Sequence, residues 1–226
     1  MKKNLTIIAL ACLVTASVQA QGLVVFSSST QNISTNNSLS QLGATAVGKT
    51  LGAGNYNYAL FYSVAATTVN GSATASSGLA GNYVWTDSNW TFAGDYAASS
   101  ATAGRFVALS ANSDGSSTVS GLGAGAGAQF VVVGWNSALG STISALQTAL
   151  ATQGTFGFVG ESAVSGQLIA GNGALIPNPN TFGGTAPQLQ AFQLGSFLVA
   201  PTPEPGTMAL AALGGASLLL FRRRNK

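Results

Sequence analysis

The chain has 226 residues with eight Lys and Arg, five Asp and Glu, and no His, a length that favours one domain or at most two. Its basic residues lie mostly at the two ends, because residues 21–200 hold only Lys49 and Arg105, against four carboxylates. A nucleic-acid-binding surface needs a basic stripe to neutralise phosphates, so this composition excludes a nucleic-acid partner.

The N-terminus has the parts of a secretory signal peptide. Lys2 and Lys3 form the charged n-region, and residues 5–14 form the apolar h-region. Residues 17–20 follow, with small residues at the spacing of a signal peptidase site that ends at Ala20. We expect export through the Sec translocon and cleavage by signal peptidase after Ala20. An uncleaved anchor is disfavoured because the apolar stretch is too short to span a bilayer.

The single cysteine, Cys12, lies inside that apolar stretch. A lipoprotein signal would make Cys12 the acylated first residue, but Leu10 stands one position too late for a good lipobox. The mature body therefore has no thiol, and we expect neither disulfides nor cysteine chemistry in it.

The body between the ends is rich in Gly, Ala, Ser, Thr and Asn, with short apolar and aromatic runs that predict strands. These runs are residues 22–26, 55–62, 83–85, 90–92, 105–109, 129–135, 155–159 and 190–194. The polar residues 86–89 would join two of them into a hairpin. The pattern predicts a mainly β fold, an antiparallel, jelly-roll-like β-sandwich with one short helix.

The helix is predicted over residues 141–150, where apolar residues recur at 143, 146, 149 and 150. Ser141 is placed to cap its start, and Gly154 lies just past its end. We expect the apolar stripe to pack on the core.

Two further stretches of the body are predicted to be irregular. Residues 121–128 resemble a nucleotide-binding glycine loop in composition alone, since they precede a strand and contain no lysine, so a flexible inter-strand loop is expected. Residues 176–187 form the second irregular stretch, and residues 200–203 a short stiff spacer after the domain.

The side-chain inventory excludes several kinds of active site. Without histidine or a mature cysteine, Ser-His-Asp and Cys-His sites and the usual zinc and copper sites cannot form. Asp87 and Asp95 remain as a glycosidase-like pair, against the alternative that both are turn formers. We expect no catalytic residues, no metal and no cofactor.

Three weaker patterns have ordinary structural alternatives. Residues 112–115 look like the first half of a calcium loop without its later glutamate, which favours a simple Asx turn. Five aromatic side chains could either stack on sugar rings or pack in the hydrophobic core. They are Trp85, Trp90, Tyr56, Tyr58 and Trp135. Four Asn residues match the N-glycan acceptor pattern, which is common by chance in such a composition: Asn32, Asn36, Asn70 and Asn89.

The C-terminus has an apolar run from Met208 to Phe221 followed by Arg222, Arg223 and Arg224. As a helix this run is about 21 Å long, short of the roughly 30 Å hydrocarbon core. The arginines would reach the cytoplasmic headgroups and stop transfer. We predict a transmembrane helix over residues 207–221, a basic tail over 222–226, and transient anchoring in the inner membrane.

Residues 201–226 closely resemble the PEP-CTERM sorting signal of exopolysaccharide-producing Gram-negative bacteria, with Pro203, Glu204 and Pro205 ahead of the apolar run and the basic end. The resemblance implies recognition by an exosortase, a membrane-embedded cysteine enzyme. It would process the chain near the Pro-Glu-Pro motif and release it or transfer it to the cell surface.

The body is similar to an uncharacterised group of PEP-CTERM surface proteins. The matching residues are 21–26, 33–36, 54–62, 104–106 and 131–135. Because that group has no established activity, the likeness supplies no site.

Three regions follow: a signal peptide over residues 1–20, an extracellular domain over 21–200 and a sorting signal over 201–226. The sequence favours a non-enzymatic, exosortase-sorted structural protein of the cell surface or extracellular matrix, associated with exopolysaccharide. A carbohydrate-binding module of the matrix is the alternative, and a carboxylate-dependent glycosidase is less favoured.

Overall fold

A computed structural model describes residues 21–28, 33–36, 48–79, 82–183, 185–200 and 213–214. Short 3-10 helices lie at Val84–Thr86 and Ser137–Leu139, and the helix α1 spans Ile143–Ala151. The strands are β1 Gln21–Val24, β2 Ser34–Asn36, β3 Gly48–Lys49, β4 Tyr56–Ser63, β5 Ser76–Ser77, β6 Thr91–Ser99, β7 Phe106–Ala108, β8 Ser117–Gly123, β9 Gly127–Asn136, β10 Phe156–Glu161, β11 Leu168–Ile169 and β12 Gln193–Leu198.

Most strands belong to one 10-stranded sheet with the order β3-β2-β12-β10-β9-β4-β6-β7. Strand β5 also pairs with β10, and β11 with β9, while β1 and β8 form a separate two-stranded sheet. The β12–β2 pair is parallel and the other pairs are antiparallel. The main sheet is thus a strongly curled, mixed half-barrel.

The central strands β4 and β9 are buried on both faces. They pair continuously from Tyr56 opposite Asn136 to Ser63 opposite Gln129. A strand covered on both sides needs apolar residues at successive positions, which explains why these strands have apolar runs without strict alternation.

Two apolar layers cover this sheet. On one face, β1 and β8 cover the sheet. This first core layer contains Tyr58, Leu60, Phe130, Val132, Val24, Val119 and Leu122. On the other face, α1 and the 3-10 helix at Val84–Thr86 cover the sheet. This second core layer contains Phe61, Val131, Val133, Trp135, Val84 and Leu146. Each layer packs against one face of β4 and β9.

An irregularity in β6 brings β8 close to the sheet. The β4–β6 register shifts between Ala59 and Phe61, and Gly94 in the opposite stretch has a φ of +95°. A Cβ on Gly94 would lie 3.3 Å from the Cβ of Ser120 on β8. Such bulges bend a strand and increase its twist, which contributes to the curl of this sheet.

The prediction of a mainly β body with one short helix is confirmed. The finer prediction of an antiparallel, jelly-roll-like sandwich does not match this topology, because the main sheet is mixed and curls as a half-barrel. Local alternation of residues predicts strands but leaves their long-range pairing open.

Three local predictions need correction. Residues 84–86 are a 3-10 helix, so the hairpin predicted over residues 83–92 does not form. The glycine-rich residues 121–128 belong mostly to β8 and β9, with a tight turn between them closed by a hydrogen bond from Ala126 N to Gly123 O. The helix is confirmed, but its cap is Thr142, whose side chain accepts a hydrogen bond from Ala145 N.

Candidate functional site

The aromatic side chains considered for sugar stacking do not share a surface. Tyr58 and Trp135 are fully buried and Trp90 is 6 % exposed. Trp85 stacks on the Tyr83 ring with centroids 4.4 Å apart, and Tyr56 packs half-buried against the first core layer. The core alternative is therefore confirmed for the three buried rings.

The carboxylates of Asp87 and Asp95 lie in different environments. Asp87 accepts hydrogen bonds from Asn70 N at 2.7 Å and from both Asn89 nitrogens, and the bond from Asn70 is the main reason that its pKa is lowered. It forms a turn, as one alternative predicted.

Asp95 is buried on β6 between Ala93 and Ala97 of the first core layer. Neither of its carboxylate oxygens accepts a hydrogen bond from the described residues. Asp87 lies instead in the loop between Val84 and Trp90, both of the second core layer, and bonds to Asn70, the neighbour of Val69 in that layer. This arrangement does not support a glycosidase pair, which flanks one bond of one substrate.

Glu161 is a buried carboxylate that the sequence reasoning missed. It is 1 % exposed at the end of β10, and its Oε2 accepts a hydrogen bond of 2.6 Å from Val84 N. Burial raises its pKa to about 7, although the bond from Val84 opposes the rise. Glu161 thus attaches the 3-10 helix at Val84–Thr86 to the sheet.

The loop at residues 112–115 is an Asx turn, as predicted. Asp114 Oδ1 accepts hydrogen bonds from Ser116 N and Oγ, which lower the pKa of Asp114. Its Oδ2 accepts a hydrogen bond from Asn178 Nδ2 at 3.0 Å. Within the described residues, no three acidic, His or Cys side chains form a group that could hold a metal ion.

Two of the N-glycan acceptor matches have their amide groups engaged. Asn70 Nδ2 donates to Thr86 Oγ1 at 2.9 Å, and Asn89 Nδ2 donates to Asp87 Oδ1. The predicted acceptor Asn32 and the side chain of Asn36 lie outside the described residues.

A surface pocket of about 290 Å³ lies at the turn that joins β6 to β7. Its lining combines hydroxyl groups, one guanidinium and an apolar floor: Ser27, Ser28, Ser100, Thr102, Arg105, Phe106 and Val107. Arg105 is exposed, and it is the sole arginine of residues 21–200. That isolation in the sequence was the one signal that could have pointed to this pocket.

The predicted sorting and cleavage residues lie outside the described part of the chain: Ala20, Pro203, Glu204, Pro205, Arg222, Arg223 and Arg224. Within the predicted transmembrane helix 207–221, only Leu213 and Gly214 are described, both helical and exposed. Among the described residues, no helix is long and apolar enough to cross a membrane.

The comparisons with known proteins concern the C-terminal tail. A family model for the PEP-CTERM protein-sorting motif matches residues 201–224. The chain therefore carries this motif at its C-terminus, which marks it as an exosortase substrate. The motif implies export and a cell-surface location after exosortase processing. No curated protein and no solved structure matches the chain.

Proposed function

We propose that this protein is a non-enzymatic structural component of the cell surface or extracellular matrix, associated with exopolysaccharide. The observation that carries the proposal is the PEP-CTERM motif at residues 201–224, which follows a body without cysteine or histidine. The motif accounts for export and sorting, and the proposal adds what the delivered body does.

Two features of the body support a structural role. Its central strands are covered on both faces by apolar layers, a construction that gives a rigid domain. Its carboxylates are dispersed: Asp87 and Asp114 form turns, whereas Asp95 and Glu161 are buried at separate places. Catalysis by titratable groups normally needs them clustered in one cleft.

The tail is proposed to act as a temporary anchor. In this scheme residues 207–221 span the inner membrane, the arginines at 222–224 stay in the cytoplasm, and the Pro-Glu-Pro motif lies at the outer boundary. Among the described residues, the last backbone hydrogen bonds of the body are made by Val199, whose N donates to Thr155 O at 2.9 Å and whose O accepts from Gly154 N at 2.8 Å. From Val199 to Pro203 the chain can extend only about 13 Å, so the exosortase would work close to the folded body.

Replacing Pro203, Glu204 and Pro205 by alanine in the producing bacterium tests the sorting step. We expect this variant to keep its C-terminal residues and to stay in the inner-membrane fraction. A matched control, Leu175→Ala at an 89 % exposed position of the body, lies outside residues 201–224 and should be processed and reach the surface. Normal processing and surface placement of the triple variant would refute the proposal that this motif directs sorting.

A carbohydrate-binding module built on the aromatic side chains is not favoured. Three of its five candidate rings lie in the core. We therefore expect direct contact with polysaccharide to use another surface of the body.

A further inference from the structure

We propose that the pocket around Arg105 binds the carboxylate group of an acidic polysaccharide, such as a uronic acid unit. This inference rests on the proposed association with exopolysaccharide and gives it a site and a ligand class. It follows from the construction of the pocket, from the distribution of charge over the body, and from the chemistry of the lining.

The backbone of the β6–β7 turn holds Arg105 in place. Ser100 N donates to Arg105 O at 2.9 Å, and Arg105 N donates to Thr102 O at 3.2 Å. On the other side of the pocket, Ser28 Oγ accepts a hydrogen bond from Phe106 N at 2.9 Å, and Ser27 forms an isolated bridge with Val107. The pocket is therefore formed by paired backbone, which gives it a fixed shape.

The fold brings the two cations of the body to the same end of the molecule. Gly104 N donates to Thr50 O at 2.8 Å, and Ile33 N donates to Gly104 O at 2.8 Å. These bonds place the segments carrying Lys49 and Arg105 side by side, although they are far apart in the sequence. Both side chains are exposed, and neither takes part in an ion pair with the described residues.

The carboxylates of the body do not neutralise this end. Asp87 and Asp114 accept hydrogen bonds in other loops, Glu161 is buried on β10, and Asp95 is buried in the middle of β6 rather than at the turn that follows it. A locally positive surface thus exists on a body whose net charge is negative over residues 21–200. Such a surface attracts an anionic group. The carboxylates of the body are too far from it to repel that group strongly.

The lining suits a carboxylated sugar better than a bare anion. The guanidinium of Arg105 matches a carboxylate in a two-point hydrogen bond. The serine and threonine hydroxyls offer donors and acceptors to sugar hydroxyls, and Val107, 53 % exposed, offers an apolar contact to the C–H face of a ring. A volume of about 290 Å³ is at the small end of ligand pockets, the size expected for a single sugar unit.

Binding of the processed protein, isolated from the cell surface, to alginate, a polyuronate, tests the inference, with dextran as the neutral polymer and dextran sulfate as the sulfated one. We expect binding to alginate and none to dextran. Arg105→Gln should weaken binding at least about tenfold, since it removes a charge-assisted two-point hydrogen bond, and Lys49→Gln should weaken it less. Gln147→Glu, on the exposed face of α1, makes the same change in net charge and should alter binding less than about twofold.

Three results would overturn the inference. Equal binding of the wild type and Arg105→Gln, with unchanged melting temperatures, would remove Arg105 from the site. Tighter binding to dextran sulfate than to alginate would replace carboxylate recognition by general polyanion binding. A protein that is processed and reaches the surface normally but binds no polymer would refute the pocket and leave the sorting proposal standing.

Discussion

At the scale of single residues, Glu161 shows how one buried carboxylate links distant parts of the chain. It lies on β10, and its partner Val84 N begins a 3-10 helix in the second core layer. Burial disfavours the charged form of the side chain and raises its pKa from 4.5 to about 7. The proton on Glu161 is therefore held more tightly in the folded protein than in the unfolded chain.

This difference predicts that the folded state loses stability as the pH rises. A group whose folded pKa is raised contributes its full stabilisation below pH 4.5 and loses it as the pH passes through about 7. A shift of this size corresponds to about 3 kcal/mol. Chemical unfolding of the mature protein between pH 4.5 and 8 should show this fall, and Glu161→Gln, which keeps an acceptor for Val84 N, should show little of it.

Asp114→Asn is the matched control for this measurement. The pKa of Asp114 is lowered from 3.8, so its contribution changes at more acidic pH and the slope above pH 4.5 should stay as in the wild type. An unchanged slope in Glu161→Gln would mean that Glu161 is not the group responsible.

Gly160 is a position where the fold leaves no room for a side chain. It pairs with Gly134 across β10 and β9, and a Cβ on it would collide with the carbonyl oxygen of Gln193. Since backbone cannot move aside as a side chain can, Gly160→Ala should cost at least about 2 kcal/mol of unfolding free energy. Gly48→Ala, whose Cβ would meet no atom of the described residues within 4 Å, should stay within about 0.5 kcal/mol. Similar stabilities of the two variants would contradict this packing.

At the scale of elements, the sequence prediction and the structure differ in which residue caps the start of α1. Ser141 and Thr142 are both good capping residues, and only Thr142 accepts the hydrogen bond from Ala145 N, at 3.2 Å. Thr142→Ala should lower the unfolding free energy by about 1 kcal/mol, and Ser141→Ala should change it by less than about 0.5 kcal/mol. Thermal or denaturant unfolding measures both, and the reverse ranking would restore Ser141 as the cap.

The elements that could be predicted are those with a strong local pattern. The runs in β4 and β9 are apolar enough to predict buried strands, and the stripe of α1 has helical spacing. Residues 117–123 were missed because their Ser and Gly residues are typical of loops, yet pairing with β1 makes them a strand. Tyr83 and Trp85 predicted a strand, whereas capping by Glu161, distant in the sequence, favours a 3-10 helix there.

At the scale of the whole molecule, the curled sheet and the pocket depend on contacts that no local pattern records. The parallel β12–β2 pair joins segments from opposite ends of the body. The approach of Lys49 to Arg105 depends on the Gly104–Thr50 bond. The tail differs, because its signal consists of features that follow one another along the sequence: the motif, the apolar run and the basic end. It could therefore be predicted from the sequence alone, and the family model matches it over residues 201–224.

The intact mass of the protein isolated from the surface of the producing cells tests the central claim most directly. Exosortase sorting predicts a species that begins at Gln21 and ends near the Pro203–Pro205 motif, without the arginines at 222–224. The variant with these three residues changed to alanine should retain the full C-terminus and remain in the membrane fraction. A surface-exposed wild-type protein whose mass still includes Lys226 would contradict the claim.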